Sequence, residues 1–181
     1  VISRLEKLAL VAALLLLGCR TPSESLKNMY GNNIRDRVEG DSFYTLGDAY
    51  QSRLENRLER VRGYVKEEQL ESALDYLYAG ALLANSGFED DLIAASACGL
   101  KAAELGDDRG FRVAAEAIDK LHMHRGENQR YGTQYYYVEV IQEWRLYPVD
   151  PATSDEERAA MGVEPLAELI ARAELLNAEV R

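Results

Sequence analysis

The sequence predicts a mainly α fold, a helical bundle or αα-hairpin array with one small β-hairpin, and three observations predict it. Apolar residues recur three or four positions apart from Phe43 to Ala84. Two segments that follow are each closed by a glycine, at Gly106 and Gly126. Between Tyr131 and Tyr147 the composition turns to aromatic and β-branched residues, which suit a pleated ribbon better than a helix.

The chain opens with Arg4 and Lys7, partly offset by Glu6, followed by the apolar run Leu8 to Leu17. As a helix that run rises about 15 Å, half of a ~30 Å hydrocarbon core, so it is too short to span a membrane. Gly18 supplies the small residue that cleavage before Cys19 requires. Leu16-Leu17-Gly18-Cys19 resembles the bacterial lipobox, with Leu17 a less usual occupant than a smaller residue. The resemblance implies that residues 1–18 are a signal peptide and that the Cys19 sulfur is acylated, with palmitate-like chains, and becomes the new N-terminus. Arg20 in place of Asp after the cysteine implies the periplasmic face of the outer membrane in a diderm cell. Two chains at about 0.8 kcal/mol per buried methylene would hold stably where one would not. The same residues would also suit an ordinary signal peptide or a buried hydrophobic helix. Val1 in place of Met fits either a non-AUG start codon or a clipped gene model.

No later run approaches the roughly 18 apolar residues of a spanning helix, so the remainder is expected in water. The chain carries a formal net charge of −10, and losing Arg4, Lys7 and Glu6 with the signal peptide makes it −11. Such a body repels phosphates, and no run of Lys and Arg interrupts it, which argues against a nucleic-acid partner and against electrostatic attachment to lipid headgroups. With Cys19 acylated, Cys98 is the one remaining thiol. Its setting, Ala94-Ala95-Ser96-Ala97-Cys98-Gly99, reads as close helix packing rather than as a cross-link between two copies.

Residues 19–41 are polar and lack sustained periodicity, and read as a lipidated cysteine with a flexible tether of about 25 Å reach. Residues 42–181 read as a single domain. Phe43, Leu46, Tyr50, Leu54, Leu58, Val61 and Val65 give one amphipathic helix, with Asp41 or Ser42 able to cap it. A break near residues 65–69 precedes a second stripe, Leu70, Leu74, Leu77, Ala81 and Ala84, which stops at Asn85-Ser86-Gly87. Asp90 to Leu105 and Asp108 to Arg125 form an αα-hairpin, the second helix burying Phe111, Ala114, Ala115, Ile118 and Leu121. A β-hairpin is placed at about residues 131–148 and is ended by Pro148 and Pro151, with no Asn-Gly or Asp-Gly turn to set its register. Thr153-Ser154-Asp155-Glu156 fits a capping box for a short helix to Met161, and Pro165 starts the last helix, with Leu166, Leu169, Ile170, Ala173, Leu176 and Val180 on one face.

The densest polar cluster is Gly126-Glu127-Asn128-Gln129-Arg130-Tyr131-Gly132-Thr133-Gln134. Together with Lys101 to Gly106, Asp119, the run Pro148 to Arg158 and Gly162-Val163-Glu164-Pro165-Leu166, it resembles a bacterial domain-of-unknown-function family marked by a Gly-x-x-Gln-x-Tyr-Gly-Thr-Gln core and a closing Asp-x-x-Arg with Pro-Leu nearby. The match runs from about Tyr76 to Leu169. This chain has Ala84-Asn85 where the family often has Gln-His, and Asp119-Lys120 where it often has Asp-Arg. The resemblance implies a helical fold and brings no established reaction.

Asp119 borders the buried stripe of its helix, between Ala115 and His122. A carboxylate there needs hydrogen-bond donors, and the backbone of the glycine-bounded turn offers them. Asp119 is therefore expected to pin the Tyr131 to Gln134 segment, with Gly132 permitting close backbone approach; the competing reading is a ligand site using Gln129, Tyr131, Thr133 and Gln134. Asp155 and Arg158 are expected as an ion pair. His122 and His124 stand two apart on a helix and cannot share an ion, so no metal and no cofactor is expected. Phosphate loops, nucleophile elbows and zinc spacings are absent from the sequence. The function expected is a lipid-anchored binding or interaction module, docking an envelope protein on its apolar hairpin faces and Tyr-rich strand. The alternatives are a hydrolase-like enzyme with Asp119, His122, Gln129, Tyr131 and Gln134 around one pocket, and a passive envelope spacer.

Overall fold

The computed structural model describes residues 21–39 and 48–179. The expected signal peptide, Cys19, the expected capping residues Asp41 and Ser42, Phe43 and Leu46 of the first expected stripe and Val180 of the last lie outside the described residues. Among the described residues there are seven helices and one two-stranded antiparallel sheet, the mainly α fold with a small β-hairpin that the sequence predicts. No helix among them is long and apolar enough to cross a membrane.

The first helix, α1 (Pro22–Glu39), occupies most of the stretch expected as a tether. Pro22 takes the first helical position, where its missing N–H costs nothing, and the Thr21 hydroxyl accepts from Glu24 N at 3.3 Å. Leu26 and Met29 are buried, and Tyr30 stacks on Tyr78 at 4.9 Å between ring centroids. The polar groups around that narrow stripe are answered by α2 (Asp48–Lys66): Arg60 donates to Ser25, and Arg57 bonds both Asn33 and Asp36. The tether reading is thus corrected for residues 22–39. The segment has too few apolar residues to show as an amphipathic helix, yet enough to dock one.

Helix α2 buries Tyr50, Leu54, Leu58 and Val61 and ends at Lys66. Glu68, at φ 53°, turns the chain in the expected break. Helix α3 (Ala73–Leu83) starts with a capping box in which Ser72 accepts from Asp75 N and Asp75 accepts from Ser72 N. Helices α4 (Glu89–Glu104) and α5 (Arg109–His124) form the αα-hairpin, closed by Gly106 at φ 97° and Gly126 at φ 75°. Their backbones meet at two glycines, Gly99 and Gly110. A Cβ on Gly110 would lie 2.2 Å from Gly99 O, so only hydrogen fits between the backbones. Cys98 is buried in the same packed layer, against Gly80 of α3, and burial pushes its thiol pKa up to about 11.

The strands β1 (Tyr135–Val138) and β2 (Glu143–Leu146) pair with Tyr135 opposite Leu146 and Tyr137 opposite Trp144. Their four-residue connection ends at Gln142, φ 51°. In place of a tight turn, Asn177 of the last helix holds the ribbon by accepting from Trp144 N at 2.6 Å and donating to Trp144 O at 3.0 Å. Helix α6 (Asp155–Ala160) is capped one residue later than expected: Ser154 is the cap and Glu157 its reciprocal partner. Helix α7 (Leu166–Glu179) follows Pro165 and packs on β2.

Two buried clusters result. One joins α1 to α5 through Leu26, Leu58, Val61, Leu82, Leu83, Ala95 and Ala117; the other joins Ala115, Tyr131, Val163 and Leu169, with Ile118, Leu146 and Met161 against them. Helix α5 is the wall between them, which puts the 129–134 segment beside the αα-hairpin.

Candidate functional site

Asp119 is 0% exposed and its two oxygens accept four hydrogen bonds. Oδ1 receives the backbone N–H of Arg130 and of Tyr131, each at 2.7 Å. Oδ2 receives the backbone N–H and the hydroxyl of Thr133, each at 2.8 Å. A carboxylate has about four lone-pair sites, and here each is occupied by a donor with no room for water. Four donors thus satisfy a carboxylate that has no contact with solvent.

Gln129 is equally occupied. Its Nε2 donates to Gln134 O at 3.1 Å and Tyr147 O at 2.7 Å, while its Oε1 accepts from Gln134 N at 2.8 Å. The side chain therefore stitches the turn to the exit of the β-hairpin, and the backbone of Gln129 pairs with Pro148 and Asp150 on the other edge. Gly132 takes φ 93°, and a Cβ there would meet Leu169 Cδ1 at 2.8 Å. Both features require glycine. Tyr131 is buried against this layer, and burial raises its phenol pKa.

Arg158 is 2% exposed. Its Nε donates to Tyr131 O at 3.2 Å and its Nη1 to Asp155 Oδ1 at 2.8 Å, and that carboxylate also accepts from Leu166 N at 2.9 Å. The expected Asp155 and Arg158 pair thus joins α6, the start of α7 and the turn. Nη2 of Arg158 is buried without a partner among the described residues.

Thr133 and Gln134 differ from their neighbours because they also border open space. With Tyr135 and Trp144 of the ribbon, they line a cavity of about 710 Å³ closed by Arg37 of α1, Tyr50, Gln51 and Leu54 of α2, Asn85, Arg112, Glu116 and Lys120 of α5, and Arg172 and Leu176 of α7. Gln134 Nε2 donates to the Thr133 hydroxyl at 2.7 Å, so both side chains are set by the Asp119 bonds behind them. Asp119 itself, Gln129, Tyr131, Gly132 and Arg158 lie behind the wall rather than on it.

Of the residues suggested for a hydrolase-like pocket, Asp119 and Gln129 are spent on internal bonds, and His122 Nδ1 faces Glu127 at 2.9 Å. Gln134 is the member of that set on the cavity wall. No group of three His, Cys, Asp or Glu side chains able to hold a metal occurs among the described residues. Sequence reasoning missed Arg37, Arg112, Glu116, Lys120, Trp144, Arg172 and Asn177. A signal was present for three of them, since Arg112, Glu116 and Lys120 recur every four residues and so form one ridge of α5 beside Asp119.

Compared with protein-family models, curated proteins and solved structures, the chain matches none.

Proposed function

We propose that the protein is a binding module held to the cell envelope by lipid on Cys19, with the cavity beside the 129–134 turn as its ligand site. The observation that carries this reading is the division of labour in the turn. Asp119, Gln129 and Arg158 hold its backbone rigid from behind, while Thr133 and Gln134 present polar groups to a space of about 710 Å³. That volume falls within the roughly 300–1,000 Å³ of small-molecule sites, and its mixture of aromatic and convergent polar groups is the usual lining of one. A fixed wall lowers the ordering cost of binding. Catalysis finds less support, because the buried carboxylate best placed to act as a base has no free lone pair.

A second reading, docking of an envelope protein on the Tyr-rich ribbon, is favoured by its tip. Val140 is 95% exposed, and Ile141 and Tyr136 are also exposed.

The anchor is tested by growth with a labelled fatty acid. Wild-type protein takes up the label, and Cys19→Ser loses both label and envelope attachment; an unlabelled wild type overturns the anchor. The site is tested by thermal-shift screening of the full acylated chain in neutral detergent against sugars, peptides, organic acids and phosphates. A ligand that stabilises the wild type and fails with Gln51→Trp, which adds an indole to the lining, supports the cavity; ligands that act equally on both overturn it.

A further inference from the structure

The cavity wall departs from the charge of the whole chain. Against a net charge of −10, it gathers Arg37, Arg112, Lys120 and Arg172 from three helices and exposes one carboxylate, Glu116. Internal partners answer only part of this. Arg112 is paired with Glu164 at 2.6 Å and with Glu116 at 3.3 Å. Arg172 reaches the same Glu164 at 3.7 Å. Lys120 Nζ donates to Ala84 O at 2.7 Å, a neutral acceptor that takes one of its three protons. Arg37 has no carboxylate within ion-pair distance among the described residues. Among the described residues, two carboxylates thus face four cations.

Bringing like charges together out of bulk water is unfavourable unless an opposite charge joins them. Burial and the field of Arg37 both pull the Lys120 pKa down, with Glu116 opposing them. An anion in the cavity would relieve that cost. The cations come from three helices, Arg37 from α1, Arg112 and Lys120 from α5 and Arg172 from α7, a broader wall than a single small ion needs. Guanidinium forks match carboxylate and phosphate oxygens.

We propose that the cavity binds a small organic molecule carrying two or more carboxylate or phosphate groups, which meet Arg37, Lys120, Arg112 and Arg172 while its body lies against Tyr135 and Trp144. The proposal rests on the cavity being the ligand site and adds the ligand's class.

The test is calorimetric titration of the full acylated chain in neutral detergent at about 150 mM salt, where surface attraction is screened beyond about 8 Å. The probes are citrate, 2,3-bisphosphoglycerate, inorganic phosphate and glucose. Citrate or bisphosphoglycerate binds in the micromolar range, and whichever binds tighter identifies the acid group. Inorganic phosphate binds at least about tenfold more weakly, because it can engage fewer of the guanidinium forks. Arg37→Gln with Arg172→Gln, neither spent on a close internal pair, weakens binding by about tenfold or more while leaving the ligand-free melting temperature unchanged. Polyanion binding that is absent, or equal in the double variant, overturns the proposal. Glucose binding that Gln51→Trp abolishes, with no polyanion bound, overturns the ligand class and leaves the cavity reading standing; failure of every ligand, in the wider screen as well, removes both.

Discussion

Removing the carboxylate of Asp119 would strand three backbone N–H groups and one hydroxyl in a dry interior. Asp119→Ala is therefore expected to cost about 3–5 kcal/mol, the range for breaking buried charged interactions, read as a lower urea midpoint. Asp119→Asn is expected to recover little, because its amide can offer one accepting oxygen and would point its own N–H groups at donors. Lost ligand binding with an unchanged melting temperature in Asp119→Ala would overturn the pinning role. The need for donors around Asp119 was legible from its place at the edge of an apolar stripe. That the backbone of the glycine-bounded turn could supply them was also read from the sequence; which of its groups do so, the N–H of Arg130, Tyr131 and Thr133, was not, since that depends on how the turn folds back 11 to 14 residues later. Gln129 was legible as polar and unusual, but its use as an internal brace rather than a ligand contact depended on the positions of Tyr147 O and Gln134.

At the scale of elements, the helix boundaries followed from local chemistry. Gly106, Gly126 and Gly162 take positive φ at the ends the sequence assigned them, since left-handed caps are a local preference of glycine. Helix α1 was not legible because its apolar stripe is two residues wide, and the rest of its docked face is Ser25, Asn33 and Asp36, satisfied by arginines of α2. Alanines on α4 and α5 signalled close packing, whereas the contact that sets the separation is made by Gly99 and Gly110. Gly110→Ala is expected to force the helices apart and lower stability by about 1–3 kcal/mol or more, checked by chemical denaturation. Gly87→Ala, with open space around its Cβ, should fall within about 0.5 kcal/mol of wild type; equal losses at both glycines would show that the crossing is not tightly set.

For the whole molecule, partly buried ion pairs tie helices that are distant in sequence. Asp91 of α4 illustrates the sign. Burial opposes its ionisation, but bonds from Arg62 of α2 at 2.6 Å and Ser86 at 2.5 Å outweigh this and hold its pKa below the usual carboxylate range. A depressed folded-state pKa gives stability that is fully present above the unfolded value of 3.8 and is lost as pH falls through the lower folded value. Asp75, Asp36 and Glu164 are shifted the same way. Stability is accordingly expected to be flat from neutral pH to about pH 5 and to fall below pH 4. Asp91→Asn should melt earlier at pH 7, and its deficit should shrink toward pH 3; a constant deficit would show that ionisation of Asp91 contributes nothing. A helix that begins at Pro22 also changes the expected geometry at the envelope. Two residues, Arg20 and Thr21, lie between it and Cys19, a reach of about 10 Å over three peptide steps, so an acylated chain would hold its body against the headgroups rather than clear of them.

From residue 48 onward the sequence by itself determined which segments are helices, where most of them stop, and that one aromatic ribbon lies among them, because periodicity, caps and glycine conformations act within a few residues. Only the tertiary structure decided that α1 docks, that Asp119 and Gln129 are consumed behind the wall, and that cations from α1, α5 and α7 meet around one cavity in an acidic chain. The reason is physical: the cost of a buried charge, and the answer to it, depend on groups far apart in sequence that only packing brings within a few ångströms.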